Sequence, residues 1–118
     1  MKSIIQIIIL SAVFTASSHI SKAQKSKLDT LQIEVAGVCG MCKERIENAA
    51  YIRGVKFVEW SRETHILTAI YRKDKITEEE IHEAVIESGH DTEKLKASEE
   101  AYQKLPDCCA YRDGIKDH

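Results

Sequence analysis

Cys39 and Cys42 stand in "VAGVCGMCKERIE", residues 35–47, where a strand-like run gives way to a helix-like one. Two cysteines at this spacing can form a redox couple, half of a zinc site, a structural disulfide, or an open claw of two thiolates around a soft cation. The chain has two further cysteines, the adjacent Cys108 and Cys109. Thiolate is the form that attacks a disulfide and the form that ligates a metal. What decides between these chemistries is therefore the compartment, what lowers a thiol pKa, and how many sulfurs meet.

The first residues, "MKSIIQIIILSAVFTASSHISKAQ", read as a leader. Lys2 supplies a positive start, Ile4 to Phe14 is almost wholly apolar, and Ser21-Lys22-Ala23 puts small residues at the two positions a signal peptidase reads. The apolar run is short for a bilayer span. The expectation is a signal peptide over 1–23, a periplasmic or secreted protein beginning at Gln24, and contact with a membrane only through the cleaved leader. Residues 24–29 read as a linker, 30–97 as the domain and 98–118 as a C-terminal extension carrying the vicinal cysteines. Removing Lys2 and Lys22 from the 17 basic residues leaves 15 against 19 acidic ones. With no basic stretch, nucleic acid is not an expected partner. In an exported protein an even number of cysteines is read first as disulfides.

The elements that must position the thiols follow from periodicity. "TLQIEVA" alternates, with Leu31, Ile33 and Val35 on one side, and predicts a half-buried strand. From Cys42 onward, Cys42, Ile46, Ala49 or Ala50, and Ile52 recur at helical spacing, with Lys43, Glu44, Arg45 and Glu47 facing water and Arg53-Gly54 closing the helix. "VKFVEW" and "HILTAIY" are strand-like and joined by the polar "SRET"; Phe57 competes with Val58 and Trp60 for the inner face. "ITEEEIHEAVIESG" predicts a helix with Thr77 and Glu80 in a capping box, Gly89 at its end, and Ile81, Ala84, Val85 and Ser88 on its buried stripe. "HDTEKLKA" reads as a last strand around Leu95, and "SEEAYQKL" as a short helix leading to Pro106. The order is β-α-β-β-α-β: an α+β, ferredoxin-like sandwich with a four-stranded antiparallel sheet and two helices on one face. Its expected core is Ile33, Val35, Ile46, Val58, Leu67, Ile81 and Val85.

In such a fold Cys42 lies in the first turn of the first helix and Cys39 on the loop before it. Unpaired N–H groups and the positive end of the helix favour thiolate there. Two such sulfurs suit Cu(I) or Hg(II), whereas zinc asks for four ligands.

The chain resembles the heavy-metal-associated domain of copper chaperones and periplasmic mercury-binding proteins. The likeness covers about Leu31 to Leu95: the CxxC after strand one, Arg45-Ile46-Glu47 behind it, Gly54-Val55 opening strand two, and "EEEIHEAVIESGHD" before the last strand. It implies one bound soft ion, Cu(I) first, with Hg(II) or Zn(II) as alternatives. It also implies Cys39 and Cys42 as ligands, and a membrane metal transporter or another metal-binding domain as the receiver. Two departures stand out. Gly37 takes the place of the family's methionine, which predicts a less pinned loop, and Met41 lies between the cysteines instead, a solvent-facing or core-filling side chain or a candidate thioether ligand. His90 takes the place of an aromatic near the metal loop, so it is a candidate third ligand or an exposed loop residue. His65 and His82 receive no role. Cys108 and Cys109 lie outside the likeness; they can join Cys39 and Cys42 around an ion, mask them in a disulfide, or form a plain clamp.

Two other functions stay open on sequence. One is a thiol–disulfide oxidoreductase using "CGMC", although the single proline, Pro106, lies in the tail. The other is a disulfide-stapled interaction domain without a metal. No paired acid and base, serine triad or phosphate-binding glycine loop points to another enzyme.

Overall fold

A computed structural model describes residues 27–113; the leader read at 1–23 and positions 114–118 lie outside the described residues. Strands β1 (Leu28–Glu34), β2 (Val55–Trp60) and β3 (Ile66–Arg72) form an antiparallel sheet in the order β1-β3-β2. Helix α1 (Gly40–Ala50) joins β1 to β2, and α2 (Glu78–Glu87) follows β3. A short α3 (Glu99–Gln103) and 3-10 turns at Asp107–Cys109 and Tyr111–Asp113 complete the described chain.

Alternation in β1 works as read: Leu31, Ile33 and Val35 are buried while Gln32 and Glu34 are exposed. In β2 the competition between Phe57 and its neighbours is resolved by a bulge. Val55 pairs with Tyr71 and Phe57 with Ile70, so Lys56 is an extra residue. One inserted residue reverses the facing of everything after it. Val55 and Trp60 thus both point inward, Val58 packs partly against the core, and Phe57 stays exposed. The core joins these side chains to Leu67, Ala69 and Tyr71 of β3, Ile46 and Ala50 of α1, and Ile81 and Val85 of α2.

Thr77 caps α2 as expected: its Oγ1 accepts from the Glu80 N–H at 3.3 Å, and its own N–H donates to Glu80 Oε2 at 2.7 Å. Helix α1 ends earlier than predicted, at Ala50, and Gly54, with φ 97°, instead makes the turn into β2. Lys43 and Glu47 are not simply solvated. Lys43 Nζ donates to Glu47 and to the Trp60 carbonyl, both at 2.9 Å, and the Trp60 N–H donates to Glu47 at 3.0 Å.

The fourth strand is not formed among the described residues. In its place is one bridge, Val35 to Thr92, flanked by Ala36 N–H to Asp91 O and Glu93 N–H to Glu34 O. The reason lies in two side chains that capture backbone donors. Thr92 Oγ1 accepts from the N–H groups of Lys94 and Leu95, and Asp91 Oδ1 accepts from that of Ala97 at 2.7 Å. Short polar side chains that bond nearby backbone compete with extended pairing. The segment curls into a turn, closed by Thr92 N–H to Leu95 O.

Gly89 ends α2 with φ 98°, and a methyl group there would lie 2.7 Å from the Ala101 carbonyl oxygen and 3.0 Å from Leu105 Cγ. Gly89→Ala therefore combines left-handed strain with a backbone clash against the C-terminal segment. It is expected to lower unfolding free energy by about 1–3 kcal/mol in a urea titration of the reduced protein.

Candidate metal centre

Cys39 is the N-cap residue of α1, with extended backbone (φ −131°), and its carbonyl accepts the first helical bond, from Lys43 N–H at 3.1 Å. Its side chain does not cap the helix, leaving the sulfur to face inward. Cys42 lies one turn on, at the head of the buried stripe it shares with Ile46 and Ala50. The C-terminal extension folds back over both. After Pro106 the 3-10 turn, closed by Cys109 N–H to Pro106 O at 2.8 Å, buries Cys109 fully and Cys108 in part. Cys39 Sγ then lies 3.5 Å from Cys42 Sγ, 3.5 Å from Cys108 Sγ and 3.6 Å from Cys109 Sγ, and the vicinal pair are 3.9 Å apart. All four are free thiols.

Those separations match the edges of a coordination polyhedron. Metal–sulfur bonds of roughly 2.3 Å put tetrahedral sulfurs about 3.8 Å apart, trigonal ones about 4.0 Å and linear ones about 4.6 Å. The linear two-thiolate claw is the arrangement furthest from the observed spacings.

Charge is unevenly shared among the sulfurs. Burial pushes the Cys39 thiol up, but the Cys42 backbone N–H and hydrogen bonds from the neighbouring thiols outweigh it and bring Cys39 down to about 7. The helix start thus favours Cys39 as thiolate, through the Cys42 backbone N–H. Cys108 is pushed up by its hydrogen bond with Cys39, and Cys109 by burial and then by its contacts with Cys42 and Cys39. The Cys39 proton leaves early while those of Cys108 and Cys109 are held, a property of the group rather than of any one cysteine.

His90 is completely buried, not an exposed loop residue. Its Nδ1 lies 2.7 Å from the Ala36 carbonyl, which can only accept, so Nδ1 carries the proton. Burial holds the ring below the usual imidazole range. One ring nitrogen of His90, Cys42 Sγ and Cys109 Sγ all lie within 4.8 Å of one another, as do the sulfurs of Cys39, Cys108 and Cys109. Met41 is half exposed, and its Sδ sits 3.4 Å from Cys108 Sγ. His82 is buried with Nδ1 2.7 Å from Thr92 Oγ1, and His65, at φ 61°, stacks on Trp60; neither belongs to the cluster.

No protein-family model matches the sequence, and no curated protein does. Solved structures do match. The CopZ metallochaperone is 26% identical at a TM-score of 0.52, over 54% of this chain and 98% of that one. Oxidized MerP from Ralstonia metallidurans CH34 is 21% identical at a TM-score of 0.52, over 55% of this chain and 93% of that one. The described domain shares the fold of these two proteins, in line with the resemblance read from the sequence.

Within that domain, the loop expected to be loose is held by other means. A methyl group on Gly37 would lie 3.1 Å from both the Trp60 ring and Cys42 Cβ, so the indole fills the space beneath the loop. Trp60 Nε1 donates to Val35 O at 3.1 Å, Arg62 Nε to Val38 O at 3.1 Å, and His90 Nδ1 to Ala36 O. The domain is here closed by the C-terminal strap, whose anchors Tyr111 and Arg112 the sequence reading did not pick out. Tyr111 Oη donates to Gly89 O at 2.7 Å and accepts from Asp91 N–H at 2.9 Å, and its ring stacks on His90. Arg112 Nη2 donates to Asp91 Oδ1 at 2.6 Å and to Ala97 O at 2.7 Å, with its guanidinium 4.5 Å above the Tyr102 ring. The sequence signal was the "YRD" that follows the cysteines, a stacking group and a fork donor near Asp91.

Two outcomes are expected. Thiolate ultraviolet absorbance of the reduced protein should rise in a first step centred near pH 7, and Cys39→Ser should remove that step. Because the folded Cys39 pKa is depressed from 9.0, its contribution to stability is complete above about 9 and is lost as pH falls through about 7. Arg112→Ala should lower unfolding free energy by about 1–3 kcal/mol and speed thiol labelling of Cys108 and Cys109, measured by mass spectrometry.

Proposed function

We propose that this protein is an exported carrier of a soft cation, a binder rather than a catalyst, which holds its cargo on Cys39 and Cys42 with Cys108 and Cys109 completing the site. One observation carries the reading: four sulfurs from two distant parts of the chain converge at 3.5–3.9 Å. Cu(I) is the first candidate for cargo, with Hg(II) and Zn(II) as alternatives, since thiolates select soft ions. The likeness to a protein described as a metallochaperone supports the same choice. Among the described residues no helix is long and apolar enough to cross a membrane. Export rests on the leader read at 1–23.

Release follows from the unequal burial of the ligands. Cys108 is the most exposed of the four sulfurs and sits on the strap rather than on the domain. An incoming thiolate, from a membrane transporter or another metal-binding domain, can bond the ion as Cys108 leaves it. The buried Cys39, Cys42 and Cys109 let go afterwards.

Competition among Cu(I), Hg(II) and Zn(II) on reduced protein, read by absorbance and mass, tests this. Cys39→Ser/Cys42→Ser should weaken Cu(I) binding by more than the roughly 10–100-fold that loss of a supporting group brings. Cys108→Ser/Cys109→Ser should weaken it less and speed transfer to a competing thiol. Equal affinity of wild type and Cys39→Ser/Cys42→Ser would end the proposal.

A further inference from the structure

His90 is buried, and its Nε2 has no hydrogen-bond partner, while its Nδ1 proton is committed to the Ala36 carbonyl. A neutral imidazole fixed in this way presents a bare lone pair. Metal-ligating histidines have this arrangement, donating the other ring N–H to a carbonyl or carboxylate. The Tyr111 ring, stacked at 5.5 Å and 22° from parallel, fixes the plane of the imidazole.

The donors number more than one ion can use. Four sulfurs and a ring nitrogen of His90 lie together, and soft d10 cations take between two and four ligands. They divide into two triads that share one atom. Cys39, Cys108 and Cys109 form the outer triad, with the Met41 thioether beside Cys108; Cys42, His90 and Cys109 form the inner one, in which all three residues are buried. Charge points the same way. Four thiolates around a single monovalent cation would carry a surplus of three negative charges in a largely buried place, and a second cation reduces it.

We infer that the site takes two Cu(I)-like cations per chain, an inner one on Cys42, Cys109 and His90 Nε2 and an outer one on Cys39, Cys108 and Cys109, with Cys109 Sγ bridging. This rests on the soft-metal reading above and extends it from one ion to two. Each thiol that binds releases its proton to solvent, and no electron is transferred, since the cations enter as Cu(I). The strap then does more than cover the CxxC: without Cys109 neither triad is complete.

The test is saturation of the full reduced protein with Cu(I) under anaerobic conditions against a chromophoric chelator, with ions counted by native mass spectrometry. Wild type should hold two Cu(I) per chain and His90→Phe one. A measurement that needs no variant accompanies it: the imidazole nitrogen signals of 15N-labelled wild type, where His90 Nε2 should move as Cu(I) is added and Nδ1 should keep its proton. Wild type saturating at one ion, His90→Phe retaining two, or His90 nitrogens unmoved at saturation would each overturn the inference. If one ion binds and Cys39→Ser/Cys42→Ser abolishes it, the soft-metal reading stands and only the second ion falls. If no Cu(I) binds, both fall.

Discussion

Cys39 Sγ lies 3.5–3.6 Å from the other three sulfurs, mostly shielded from water, and like charges so close do not ionise together unless a cation enters between them. Negative charge therefore concentrates on Cys39, while Cys108 and Cys109 of the tail keep their protons. Loading exchanges protons for metal, so affinity is tied to pH through the same groups that set the apo charge.

Closure is organised by three consecutive residues at the end of α2, each with a separate task. Gly89 turns the chain in a conformation other residues resist and leaves room for the C-terminal segment. His90 points into the centre. Asp91 ties the outside, accepting from Arg112 and from the Ala97 N–H while its own backbone bonds Ala36 and Tyr111. The same three residues thus end a helix, supply a nitrogen and anchor the strap, which couples the metal loop to the tail through backbone as well as sulfur.

Much of this was legible in the sequence. Alternation in β1, the capping box of α2, the CxxC at the start of α1 and the short α3 all came from local patterns whose physics is local. What escaped was decided between distant segments. The bulge at Lys56 could not be seen without the partner strand. The fourth strand was lost to side-chain bonds from Asp91 and Thr92 that compete with pairing. His90 looked like a loop residue because its cover, Tyr111, lies 21 positions away. That the tail cysteines reach the CxxC, about 70 residues earlier, could be raised from sequence only as one of three choices.

Trp60, the one tryptophan in the chain, packs beneath the loop so that its ring and Cys42 Cβ both crowd the position of Gly37. Its ring lies under the same glycine that Cys42 Cβ approaches, and heavy, polarisable ions bound nearby quench indole light. The protein thus contains its own optical gauge of occupancy, readable without a dye or a tag. The residue that fills the hollow under the loop also reports when cargo arrives above it.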